Sequence, residues 1–212
     1  MATHWKETGD WYVDAINGDD GNAGTSVAPF KTLGAAATAA SNTNKIVVGT
    51  GVYNEEINTG GAYYYWCADG TAILDATGLS NGSVVFNCAR NTFTGFHFIN
   101  GAVHGVVTAY YRSEYHDCTF TNMSSMLQYN TYSTYNWNSY ILTFKNCRFQ
   151  DCDLSVKNGR YIAYAIVYNC VFINSPLLCD VNGGSTSVNN YLWDIQNSYF
   201  GRSDGHANPA VL

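Results

Sequence analysis

A single six-residue pattern recurs along the chain and limits what it can fold into. It reads Gly95-Phe96-His97-Phe98-Ile99-Asn100, then Asp117-Cys118-Thr119-Phe120-Thr121-Asn122, then Asn146-Cys147-Arg148-Phe149-Gln150-Asp151. Asn169-Cys170-Val171-Phe172-Ile173-Asn174 and Asn197-Ser198-Tyr199-Phe200-Gly201-Arg202 continue it. The shared Phe residues stand 22, 29, 23 and 28 positions apart. That spacing is too uneven for a rigid helical repeat, and it suits a coil whose turns accept insertions on one side. In each segment Cys and Phe are two apart, so both point to one face of a short strand. The Asn or Asp before the Cys marks a tight turn, because these residues tolerate the left-handed conformation.

A second alternating strand precedes each turn, with Phe93, Tyr115, Phe144, Val167 and Ile195 as its inward residues. A third follows, with candidates at Val106 and Thr108, Met126 to Tyr129, and Leu154 with Val156. Three short strands per repeat predict an all-β fold, a parallel β-helix of about six rungs, roughly 30 Å long. Stacking places Cys118, Cys147 and Cys170 in one interior column, continued by Ser198. Phe98, Phe120, Phe149, Phe172 and Phe200 form a second column. Asn146, Asn169 and Asn197 form an amide ladder that starts at Asp117.

Residues 1–44 read as an N-terminal strand (Trp11-Tyr12-Val13), a Gly- and Asp-rich loop, and an Ala-rich helix over Leu33 to Ala40 that caps the coil. Residues 45–212 form the coil, and the two parts make one structural domain. Lys45 to Val48 and Ile73-Leu74-Asp75 are its first strands.

Only 12% of residues are charged and the net charge is -6. A nucleic-acid partner is excluded, because it would demand a basic surface. No run of 18 apolar residues exists, so no membrane insertion is expected. The opening Met-Ala-Thr-His-Trp-Lys-Glu lacks the form of a signal peptide. The seven Cys read as small buried hydrophobes, with one disulfide left open and no zinc spacing.

Tyr12-Val13-Asp14, Asn17-Gly18-Asp19-Asp20-Gly21, Gly24-Thr25 and Ala28-Pro29-Phe30-Lys31-Thr32-Leu33 resemble the N-terminal signature of the pectate-lyase-like superfamily of right-handed parallel β-helices. Ile46-Val47-Val48, Gly51-Val52-Tyr53, Glu55 and Ile73-Leu74-Asp75 are similar to its sequel. The resemblance runs from Trp11 to Phe200 and implies the fold, with a right-handed, single-stranded coil. The superfamily holds polysaccharide lyases, hydrolases, epimerases, phage tailspikes and fibres, and members without catalysis. This chain is shorter than its enzymes, and its basic residues do not cluster with acids as the lyases require. No catalytic motif is carried over.

Three groups of residues are candidates for chemistry. Arg112, Glu114 and His116 alternate outward before Asp117, either as an acid–base set for a glycan or as a solvated charge row. Asp151 and Asp153, with Asp180 further on, would flank a glycosidic oxygen or serve turns. Asp14, Asn17, Asp19, Asp20 and Asn22 offer oxygens to Ca²⁺ or shape the loop, with turn formation the simpler role. No other metal or cofactor is expected. Asn81-Gly82-Ser83 and Asn122-Met123-Ser124 match the N-glycosylation acceptor pattern fortuitously.

The aromatic runs point to a partner. Tyr63, Tyr64, Tyr65 and Trp66 are consecutive, and consecutive residues cannot all face one side of a strand. Tyr110 and Tyr111 follow on a later coil, and Tyr129, Tyr132, Tyr135, Trp137 and Tyr140 fill the longest insertion. These suit a protein interface or a sugar. The expected role is a noncatalytic structural component of a phage-like virion: a head or tail appendage, fibre or spike module. It would form a homo-oligomer, a trimer first, or join other virion proteins, with a surface polysaccharide as a further contact. The alternatives are a polysaccharide lyase or glycoside hydrolase acting as a tailspike depolymerase, and a glycan-binding adhesin module.

Overall fold

The computed structural model describes residues 5–59, 63–80, 83–86, 90–104, 112–123, 125–128, 140–153, 156–157, 163–175 and 192–202. Strand β1 (Trp11–Val13) and helix α1 (Leu33–Ala39) come first. The next two coils hold β2 (Lys45–Tyr53) with β3 (Ile57–Asn58), then β4 (Tyr65–Asp75) with β5 (Ser83–Phe86). Three coils of three strands follow. They are β6 (Thr92–Thr94), β7 (His97–Ile99) and β8 (Ala102–His104); β9 (Arg112–His116), β10 (Thr119–Thr121) and β11 (Ser125–Gln128); and β12 (Tyr140–Lys145), β13 (Arg148–Gln150) and β14 (Val156–Lys157). The last described coils hold β15 (Ala163–Tyr168) with β16 (Val171–Ile173), and β17 (Leu192–Gln196) with β18 (Tyr199–Gly201).

Among the described residues every pairing between these strands is parallel. Three faces result, and the coil is right-handed. Face A is the sheet β3-β5-β8-β11-β14. Face B stacks β6, β9, β12, β15 and β17, and face C stacks β7, β10, β13, β16 and β18. The long β4 pairs with both β6 and β7, and so joins faces B and C into one sheet. The third strand after Phe98 is Ala102–His104; Val106, Thr108, Tyr129 and Leu154 lie outside the described residues.

The expected columns are present. Phe98, Phe120, Phe149, Phe172 and Phe200 stack with centroids 5.0, 4.8, 4.6 and 4.5 Å apart and planes within 10°. Opposite them, Trp66, Phe93, Tyr115 and Phe144 form a second stack at 6.1, 5.4 and 5.2 Å. The two stacks meet edge to face, as at Tyr115–Phe120 and Phe120–Phe144, both an arrangement the ring quadrupole favours. The flat strand spacing thus sets the ring spacing.

Two tight turns per coil hold the faces together. Asp117, Asn146, Asn169 and Asn197 adopt φ of 54, 55, 54 and 50° between faces B and C. Asn100, Asn122, Asp151 and Asn174 adopt φ of 62, 55, 53 and 49° between faces C and A. All of these except Asn197, which lies in the last described coil, donate their own N–H to the next coil, as in Asn146 N to Tyr168 O at 3.0 Å and Asn122 N to Gln150 O at 3.0 Å. Side chains bond along the axis too. Asn146 donates to Asp117 at 3.0 Å and Asn169 donates to Asn146 at 2.9 Å. A second ladder, beyond the expected one, runs Asn122 to Asn100 at 2.9 Å and Asn100 to Asp75 at 3.1 Å. It begins again with Asn174 to Asp151 at 2.7 Å.

The Cys column follows from the same turns. Cys118, Cys147 and Cys170 are buried, and each thiol lies within reach of the carbonyl two residues earlier (3.2, 3.4 and 3.3 Å). Ser198 does the same at 2.9 Å. Cys147 N donates to Cys170 Sγ, and Cys170 N donates to Ser198 Oγ, so the residues are stacked. Cys152 and Ser175 repeat this at the other turn. Cys67, Cys118, Cys147, Cys152 and Cys170 are all free thiols. Burial pushes the Cys147 thiol up; its contact with Cys147, then burial, raises that of Cys170. Both are held away from the reactive thiolate form.

Helix α1 contributes Leu33, Ala36 and Ala37 to the same core as the coil. Its first N–H groups have no partner within the helix. Glu55 accepts from Leu33 N at 2.8 Å and Gly34 N at 2.9 Å, and Thr32 caps Ala35 N at 3.1 Å. Among the described residues no helix is long and apolar enough to cross a membrane.

Candidate functional site

The carboxylates of the N-terminal loop accept bonds from the loop's own backbone. Asp14 is buried and accepts from Ile16 N, Asn17 N and the Asn17 side chain at 2.9–3.0 Å. Asp19 accepts from Gly21 N at 2.8 Å. Asp20 accepts from Lys31 N, Thr32 N and Thr32 Oγ1, each at 2.9 Å. Burial pulls the Asp20 pKa upward, but these bonds outweigh it and hold the carboxyl below its usual range. Asn22 donates to Pro29 O at 2.9 Å. Among the described residues no group of three or more His, Cys, Asp and Glu is placed to hold a metal ion.

Asp151 and Asp153 are not a matched pair on one strand. Asp151 occupies the left-handed turn and accepts from Asn174, while Asp153 lies past the turn with its N–H on Met123 O at 2.7 Å. Asp180 lies outside the described residues. Tyr110, Tyr111, Tyr129, Tyr132, Tyr135 and Trp137 also lie outside them.

The consecutive aromatics alternate as strand geometry requires. Trp66 points inward and donates to Asn91 Oδ1 at 3.0 Å. Tyr64 also points inward, so it is corrected from an interface residue to a core one. Its hydroxyl lies 3.1 and 3.2 Å from the carbonyls of Ala37 and Ala40, tying the coil to the end of α1. Tyr63 carries Arg90 over its ring at 4.8 Å. Tyr65 points outward and is 52% exposed.

The outward residues of face B collect the remaining candidates. Register sets Tyr65, Thr92, Glu114, Thr143, Ile166 and Asp194 in one column along the axis. The column beside it holds Cys67, Thr94, His116, Lys145, Tyr168 and Gln196. Glu114 and His116 share strand β9, with Oε2 and Nε2 3.2 Å apart. Lys145 is the register neighbour of His116, and Tyr168, 40% exposed, follows Lys145. Exposed Tyr65 and Tyr168 thus lie four strand steps, or about 19 Å, apart along this polar face. Lys145 and Tyr168 were readable as outward, since Phe144 and Val167 before them point inward.

Such a strip offers ring faces, a cation, a carboxylate and a titratable imidazole to an extended polar polymer. An acid and an imidazole in contact can also relay a proton.

Comparison with known proteins adds three findings. A family described as "Protein of unknown function (DUF1565)" matches residues 16–63, which span the loop, α1 and the first coil. No curated protein matches the chain. Among solved structures, one titled "Rhamnogalacturonan lyase" is similar at a TM-score of 0.47 and 14% identity, covering 91% of this chain. This chain spans 62% of that protein's length.

Proposed function

We propose that the protein is a noncatalytic β-helix module of a phage-like particle, a head or tail appendage that contacts a surface polysaccharide through the outer side of face B. The observation carrying this reading is the strip between Tyr65 and Tyr168, where Glu114, His116 and Lys145 face outward. Elsewhere the carboxylates Asp14, Asp20, Glu55, Asp75, Asp117 and Asp151 hold turns and caps. Assembly with further copies is supported by the last described coil. Ile195 continues the buried column of Phe144 and Val167 yet is 39% exposed.

A second reading is favoured by one contact. Glu114 and His116, at 3.2 Å on an exposed face, have the chemistry of a general acid and base for glycosidic cleavage. Incubation with a panel of acidic and neutral polysaccharides separates the two. The first reading expects binding by calorimetry with no new reducing ends and no unsaturated-uronate absorbance. Turnover that disappears in Glu114→Gln and His116→Ala would replace it with the second.

A further inference from the structure

We infer that the face-B strip is closed at its N-terminal end by residues Trp5 to Asp10, so that it takes the end of a polysaccharide chain and not its middle. This rests on the proposed polysaccharide contact. Val47 occupies the outward column directly before Cys67, yet it is 0% exposed and lies outside the core cluster. The chain crossing in front of it covers it: a Cβ placed on Gly9 would sit 2.7 Å from Val47 Cγ2. The crossing segment is tied down along its length. Asp69 accepts from Lys6 N at 2.6 Å and Glu7 N at 3.0 Å, and Glu7 pairs with Lys45 at 2.8 Å. Asp10 exchanges bonds with the Lys45 backbone at 2.8 Å in each direction. Trp5 lies against Gly49, with its indole N–H on Ser26 O at 2.9 Å.

A polymer lying along the axis therefore runs from Tyr168 past Lys145 and Glu114 to Tyr65 and meets this segment. An uninterrupted polymer cannot continue past β4 on this face. A chain terminus can stop there.

The test uses the full-length protein and length-fractionated fragments of a homopolymeric hexuronate and of a neutral glucan, with light scattering and calorimetry giving the number of proteins bound per chain. End recognition predicts a number that stays constant as fragments lengthen. Asp69→Ala and, separately, Trp5→Ala release the segment, and in each the number should rise with fragment length. Two variants are used so that one folding failure leaves the other readable. A wild-type number that rises with length overturns the inference while leaving the polysaccharide contact standing. Absence of binding to every fragment overturns both.

Discussion

An Asn or Asp followed by Cys or Ser is the smallest unit of this structure. The first residue takes the left-handed turn and the second returns its side chain to the carbonyl two positions back. A thiol and a hydroxyl serve alike, since Ser198 and Ser175 continue the columns of Cys170 and Cys152. Cys147→Ser should therefore change stability by less than about 1 kcal/mol, whereas Cys147→Val leaves the turn without its donor and should cost about 1–3 kcal/mol in urea unfolding. The ladders make a second prediction. Each Asn donates toward the N-terminus, so an Asp, which only accepts, suits a ladder's start, as at Asp75 and Asp117. Asp151 instead interrupts a ladder below Asn122. Asp151→Asn should restore a donor there and raise stability by about 0.5–1.5 kcal/mol, and a drop would contradict the ladder account. The B-to-C turn was legible because Cys recurs after it. The C-to-A turn was harder to read, since Gly101, Met123, Cys152 and Ser175 follow its left-handed residues and share no composition.

Among elements, α1 was legible from its Ala content, but its fastening was not. Glu55 caps it from 22 residues away, and Tyr64 anchors its far end from a run of aromatics that reads as a surface feature. Neither partner has a local signal. Glu55→Ala should cost about 1–2 kcal/mol, as losing a helix cap does. The pH behaviour has two opposite parts. Burial raises the Glu55 carboxyl and outweighs the bonds it accepts from the Leu33 and Gly34 N–H groups. A raised acid contributes stability below its unfolded pKa that is lost as pH rises through the raised value. Asp20 and Asp75 are lowered, burial being outweighed by hydrogen bonds, so their contribution is present above the ordinary carboxylate range and lost as pH falls through their lowered values. Denaturant unfolding across acidic pH should show Glu55→Gln losing the first dependence and Asp20→Asn losing part of the second. Unchanged profiles would contradict these assignments.

At the scale of the whole molecule, the first coils and the last described coil differ. Helix α1 and the Trp5 to Asp10 segment lie at the first coils, while Ile195 and Tyr199 stay exposed at the last described one. If further copies cover that end, Ile195→Glu should lower the mass seen by light scattering. The strip on face B was only half legible. Glu114 and His116 stood out as neighbours in sequence, but Lys145, Tyr168 and Tyr65 join them only through register between strands tens of residues apart. The most direct measurement is calorimetric titration of a bound polysaccharide fragment into wild type, Tyr65→Ala, Tyr168→Ala and Tyr199→Ala. Tyr199 is 53% exposed on face C and serves as the control. A contact along face B predicts an affinity loss of about tenfold, roughly 1.4 kcal/mol, for each of the first two variants and none for Tyr199→Ala. Equal losses in all three, or a loss confined to Tyr199→Ala, would contradict it.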